Sequence, residues 1–341
     1  MTTVLFRCEA GADIGYGHVM RCLALAQEWL RRGGRAVFAL SELPPPLFAR
    51  LRAAGVVVET MAAVAGSGED AAETEVRAAN WRADWVVVDG PMFGVAWDKF
   101  WPARRSLLRI DDNGLPRAFA AAMVLNQNMG AGAIDYPQRP ENCGLLLGPE
   151  YALLRPEFGG VRSVERGNRI LVTMGGSDPA GATESVVAAL REPAAASLAA
   201  DLIVGAGNRR KDCLVASLEG DAPRLAALAD PGNLPARFAG ARCAVSAGGT
   251  TVYELALLRT PMLLLCTAEN QRRSCERLAA AGAVRYLGWH ADISTTELAR
   301  EIAAFAGDAT QLAEYAANAG RLVDGLGVVR VVEAMLAEGG A

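Results

Sequence analysis

The chain has 341 residues, 52% of them hydrophobic and 21% charged, with a formal net charge of −4. This balance fits a globular protein with chain enough for two cores, and the short basic run "NRRKD" at residues 208–212 reads as a solvated turn, not a nucleic-acid site. No apolar run reaches the roughly 18 residues of a membrane span. The seven cysteines include no CxxC pair, and no secretory pattern opens the chain, so neither a disulfide framework nor a zinc site is expected and the location is read as cytoplasmic.

In chain order, "TVLFR", "RAVFAL", "VVVET", "WVVVD", "SLLRID" and "AAMVLNQN" are predicted strands of one half. "RILVTMGG", "ADLIVGAG", "ARCAVSAGG" and "TPMLLLC" are predicted strands of the other. Apolar runs without polar alternation belong to strands buried on both faces, hence to parallel sheets covered by helices. Proline, glycine and charge interrupt both patterns at residues 151–168. The expected organisation is an N-terminal Rossmann-like α/β domain at 1–155, a second Rossmann-like domain at 165–320, and a C-terminal helix at 321–341 that packs back on the first. Ligands of such sheets bind beyond the carboxyl ends of the strands, here in a cleft expected between the domains.

The stretch "CEAGADIGYGHVMRCLALAQEWLRRGG" follows the first strand. Val19, Leu23, Ala26 and Leu30 recur at helical spacing and Gly33-Gly34 can end the helix, so His18 falls at the helix start behind Gly15 and Gly17. Three readings compete. A dinucleotide fingerprint lacks its third glycine, since Met20 stands there. An imidazole could merely cap the helix. A catalytic base is the third: the positive end of the helix dipole favours the neutral ring, the form that accepts a proton.

The second half carries two more glycine turns after strands, which favours the catalytic reading. "VSAGGTTVYELALL" sets Gly248, Gly249, Thr250 and Thr251 between a strand and a helix, where backbone N–H groups and hydroxyls suit a diphosphate. Glu254, one turn in, could take ribose hydroxyls or close a capping box with a threonine. "VTMGGSDPAG" at residues 172–181 opens the second domain in the same way.

Together these segments resemble the pseudaminic acid pathway UDP-sugar hydrolases (PseG) and the related SpsG-type spore-coat polysaccharide proteins. The resemblance rests on "FRCEAGADIGYGHVMRCLALA", "VVVD", "RIDDNG", "LLGPEYALLRPEF", "ILVTMGGSD", "SAGGTTVYE" and "ENQ", and runs with gaps over nearly the whole chain. It implies a two-domain GT-B-like fold similar to the lipid II glucosaminyltransferase MurG. It also implies hydrolysis of UDP-2,4-diacetamido-2,4,6-trideoxy-β-L-altrose, or a close relative, to free sugar and UDP.

Carried over by position, His18 is the catalytic residue. Asp13, Gly15, Gly17, Asp111, Asn270 and Gln271 fall on the sugar side, and Gly175, Gly176, Ser177, Gly249, Thr250, Thr251 and Glu254 on UDP. No metal or other cofactor is implied, and the expected partner is the UDP-sugar alone. Many members carry an aromatic or histidine pair after "VVVD"; this chain has Gly90-Pro91-Met92 there.

Other candidates read as structural. Adjacent Asp111 and Asp112 usually point apart, no histidine or third acid is expected nearby, and turn capping is the expectation over metal ligation. Cys22 reads as buried packing and His290 as solvated, in a loop before a helix. The expected chemistry is an inverting nucleotide-sugar hydrolase, with a glycosyltransferase and a non-catalytic nucleotide-sugar sensor as rivals.

Overall fold

The computed structural model describes the chain except residues 1, 12, 13, 42, 103, 104, 116, 117, 162, 163, 230 and 339–341. It divides into two compact units, Met1–Pro156 with Leu326–Ala341, and Glu157–Gly325.

The strands of the first unit are β1 (Thr3–Cys8), β2 (Arg35–Leu40), β3 (Val57–Thr60), β4 (Trp85–Asp89), β5 (Ser106–Ile110), β6 (Met123–Asn126) and β7 (Gly144–Leu147). They form one parallel sheet in the order β3-β2-β1-β4-β5-β6-β7. The central strands are buried throughout, as their unbroken apolar runs require.

The second unit repeats the plan with β8 (Ile170–Thr173), β9 (Ala200–Val204), β10 (Leu225–Ala229), β11 (Ala244–Ala247), β12 (Met262–Cys266) and β13 (Arg285–Trp289). Its parallel order is β10-β9-β8-β11-β12-β13. In both sheets the strand order reverses beside the first strand, between β1 and β4 and between β8 and β11. The crevice at such a switch point is where doubly wound sheets take ligands.

Three strands escaped the sequence patterns: β7, β10 and β13. All three are sheet edges whose residues are mostly half-buried. Edge strands need no continuous apolar run, and "LAALA" reads equally well as helix.

The opening helix, Gly17–Arg31, buries Val19, Cys22, Leu23 and Ala26 against Val4 and Phe6 of β1. Gly33 stands at φ +82°, and a Cβ on Gly34 would lie 2.3 Å from the Trp29 ring, so the chain leaves the helix only with glycines at that turn. The last helix, Gly327–Glu338, adds Val328, Val331, Val332 and Met335 to the same core. A second buried network braces the end of β1. Arg7 donates to Asp70 (2.7 Å), to Glu9 (2.6 Å) and to the Ala39 carbonyl, and Glu9 accepts from Ser41, which joins β1, β2 and the helix Gly68–Asn80 below the glycine loop.

Candidate active site

Strand register assembles the first group. Asp89 closes β4 level with Cys8 of β1 on one side and Ile110 of β5 on the other. The glycine loop after β1 and the Asp111-Asp112 turn after β5 therefore flank it. Gly11 and Gly15 exchange backbone hydrogen bonds across that loop, while Asp13 lies outside the described residues. Tyr16 occupies the helix N-cap without a side-chain cap bond, and His18 follows Gly17 in the first turn. Its ring does not cap the helix: Nδ1 lies 2.8 Å from Asp89 Oδ1. The side chain is 14% exposed.

Arg21, one turn further on, binds two carboxylates. It donates to Asp89 through Nε (2.6 Å) and Nη2 (2.5 Å), and to Asp112 through Nη1 (2.8 Å) and Nη2 (2.9 Å). Asn128 donates to Asp112 Oδ1 at 2.9 Å. Burial opposes ionisation of Asp89, but Arg21 and His18 outweigh it and hold the carboxyl well below the usual range. Asp112 is lowered by the same balance of burial against Arg21. Cys22, fully buried with its thiol 3.6 Å from Asp89, is pushed up by burial and by its neighbours Cys8 and Asp89, the state of a packed thiol and not of a nucleophile.

The two adjacent acids do point apart. Asp111 accepts from the backbone of Asn113 and Gly114 and from the Tyr136 hydroxyl (2.8 Å), which makes it the brace of its own turn. Asp112 turns toward Arg21. The expectation that no histidine or third acid lies near this pair is corrected in space, because the sheet order brings His18 and Asp89 beside Asp112. Among the described residues no group of three or more His, Cys, Asp or Glu side chains could hold a metal ion. After Asp89, the Gly90-Pro91-Met92 turn folds back so that a Cβ on Gly90 would meet the Met92 sulfur at 2.6 Å.

Sequence reasoning missed Arg21, Asp89 and Asn128, and gave Asp112 turn capping where it meets Arg21. The local signals were a histidine and an arginine three residues apart on one helix face, and an acid ending a buried apolar strand.

In the second unit the two predicted turns follow β8 and β11, on either side of the switch point. Gly175 takes φ +88°, and a Cβ on Gly205 would lie 2.3 Å from the Gly176 carbonyl oxygen, so the loops after β8 and β9 pack backbone to backbone. Ser177 is buried beside Asp178, whose carboxylate accepts from Ala182 (3.0 Å) and Thr183 (2.9 Å) and so caps the helix Ala182–Arg191.

Thr250 is the N-cap of the helix Thr251–Leu257, but its hydroxyl makes no cap bond, so the capping box is not formed. Glu254 is half-buried in the first turn. Gln271 accepts from the Thr267 backbone (3.1 Å) and hydroxyl (3.2 Å), and its Nε2 lies 3.9 Å from where a Cβ on Gly249 would stand. It thereby braces the turn after β12 and lies beside the turn after β11, while Asn270 is exposed. His290 is half-buried in a 3-10 turn, His290–Asp292, its ring 5.4 Å from that of Trp289, not the solvated loop residue expected.

Two doubly wound parallel α/β units with glycine turns at their switch points make a GT-B-like fold. The crystal structure of Acinetobacter baumannii MurG shares it with a TM-score of 0.65 at 15% identity, over 98% of this chain and 99% of that one. The S. aureus MnaA–UDP co-structure gives a TM-score of 0.67 at 12% identity, over 97% and 95%. In sequence, the chain is similar to the spore coat polysaccharide biosynthesis protein SpsG of Bacillus subtilis (strain 168), 25% identical over 195 residues. That match spans 56% of this chain and 57% of SpsG. No family model matches the chain. No helix among the described residues is long and apolar enough to cross a membrane.

Proposed function

We propose that the protein is an inverting nucleotide-sugar hydrolase that cleaves a UDP-linked diacetamido-trideoxy sugar, UDP-2,4-diacetamido-2,4,6-trideoxy-β-L-altrose or a close relative, in nonulosonate biosynthesis of the pseudaminic acid type. The observation that carries this reading is the His18–Asp89 pair at 2.8 Å. A buried anion on Nδ1 orients the ring and leaves Nε2 to take a proton from water. The water oxygen bonds to the anomeric carbon, the bond from that carbon to the diphosphate oxygen breaks, and its electron pair leaves on UDP. The proton held on His18 is then released to solvent.

Gly249, Thr250 and Thr251, with Gly175, Gly176 and Ser177, are assigned to the nucleotide, where backbone N–H groups stabilise the departing diphosphate. Glu254 is assigned to the ribose hydroxyls. Asp13, Gly15, Gly17, Asp111, Asn270 and Gln271 are assigned to the sugar side, Asp111 through the turn it braces. The polysaccharide-biosynthesis relative and the UDP held by a protein of this fold support the substrate class. The rival, transfer of the sugar to an acceptor, stands on the same fold, which glycosyltransferases share.

Turnover in ¹⁸O-enriched water separates them. Label is expected on the anomeric oxygen of the sugar and none on UDP, with activity surviving EDTA because the leaving group is stabilised by amides. Label in a phosphate, or activity abolished by chelation and restored by metal, sinks the mechanism. Sugar appearing only on an added acceptor establishes the transferase, and binding of UDP-sugar without any turnover establishes a sensor.

Glu254→Ala is expected to weaken UDP binding by about 1.5–3 kcal/mol, the loss of a charged hydrogen bond to ribose. Titration calorimetry on the folded variant checks this, and unchanged affinity removes Glu254 from the nucleotide site.

A further inference from the structure

The hydrogens of Arg21 can be counted. A guanidinium offers five N–H donors in a fixed fork. The Nε hydrogen goes to Asp89 Oδ2 and one Nη2 hydrogen to Asp89 Oδ1. On the other edge, one Nη1 hydrogen goes to Asp112 Oδ1 and the second Nη2 hydrogen to Asp112 Oδ2. The two Nη2 hydrogens thus have a third partner in hydrogen-bond reach, His18 Nδ1 at 3.2 Å, behind the shorter contacts to Asp89 and Asp112. Nδ1 in turn faces Asp89 Oδ1 at 2.8 Å, and an ionised carboxylate can only accept. In the neutral ring the proton then sits on Nδ1, with the lone pair on Nε2.

We propose that Asp112 is a positioning residue for His18. By accepting the second Nη2 hydrogen it competes with Nδ1 for Arg21, whose donation to Nδ1 opposes a proton there and favours the Nε2–H ring, a base without an acceptor. Asp112 is itself clamped by the Asn128 amide at 2.9 Å, so the chain His18–Asp89–Arg21–Asp112–Asn128 reads as one device for choosing a tautomer. The consequence for catalysis rests on the hydrolase reading of His18; the tautomer does not.

The chain has two histidines, so ¹⁵N imidazole spectra of the full-length protein at neutral pH resolve His18 once His290→Gln has assigned the other ring. The wild type is expected to show Nδ1 protonated and Nε2 bare. Asp112→Ala is expected to convert a large share of His18 to the Nε2–H form, with kcat lowered by roughly 10²–10⁴-fold and KM little changed, as for loss of a general base.

An Nε2–H ring in the wild type overturns the proposal without any substitution, which covers the case of an alanine variant that does not fold. A folded Asp112→Ala variant with the wild-type spectrum overturns it as well. A chain with the expected spectra that hydrolyses no UDP-sugar sinks the hydrolase reading alone. Hydrolysis with the opposite tautomer sinks this proposal alone.

Discussion

His18→Asn is expected to lower kcat for UDP-sugar hydrolysis by about 10²–10⁴-fold while UDP affinity is kept. Asparagine is close to imidazole in reach, and its amide can still donate to the Asp89 carboxylate that sits 2.8 Å from Nδ1. What it lacks is a basic lone pair on the far side of the ring. The variant therefore separates proton acceptance from packing, which a change to alanine would not. Binding is expected to survive because the nucleotide is assigned to turns of the other unit, after β8 and β11. Steady-state rates and calorimetry with UDP measure the two halves of the prediction. Near-normal turnover would remove His18 from the chemistry and leave it a half-buried polar residue of the first helical turn.

Asp89→Asn is expected to cost about 3–5 kcal/mol of stability at pH 7 as well as activity, because it leaves the buried Arg21 cation without one of its two counter-charges. The sign of the pH dependence follows from the direction of the shifts. Burial opposes the charge on Asp89 and on Asp112, yet Arg21 keeps both carboxyls below their ordinary values in the folded chain. The unfolded chain, with Asp near 3.9, binds these protons first as the pH falls. The stabilisation is thus complete above roughly pH 5 and is lost progressively as the pH drops through the unfolded value toward the folded ones. Urea unfolding at pH 7 and at pH 3 tests this: the wild type loses much of its margin in acid, and the variant, with one of the two groups gone, loses less. A difference under about 1 kcal/mol at pH 7, or equal acid losses, would show that the Arg21–Asp89 pair is not the strong interaction its geometry implies.

The pattern of the fold was legible where strands are buried on both faces. "TVLFR", "WVVVD" and "PMLLLC" announce β1, β4 and β12 because a strand covered on both sides carries mostly apolar residues. It was not legible at β7, β10 and β13, where one edge is free and half-exposed residues are tolerated. The start of the opening helix was equally plain. Glycine bends the chain, apolar residues three and four apart face β1, and all of this lies within a dozen neighbouring positions.

The site divides in the same way. The sequence by itself determined that His18 stands behind a glycine turn at a helix start, and that Gly175, Gly176, Gly249 and Thr250 stand after strands, since each is a local matter of turn and cap. Only the tertiary structure decided what His18 meets. Asp89 is 71 residues away, and Asp112 is 91 residues from Arg21. They meet because β4 lies beside β1, and β5 beside β4, in a sheet whose order reverses there. Likewise Tyr136 and the turn amides, not the residue type, decided that Asp111 braces its loop and Asp112 faces Arg21. Neighbours in a parallel sheet are set by which side each crossover takes, and that choice is made by the packing of whole helices against the sheet, for which no short stretch of sequence holds the information.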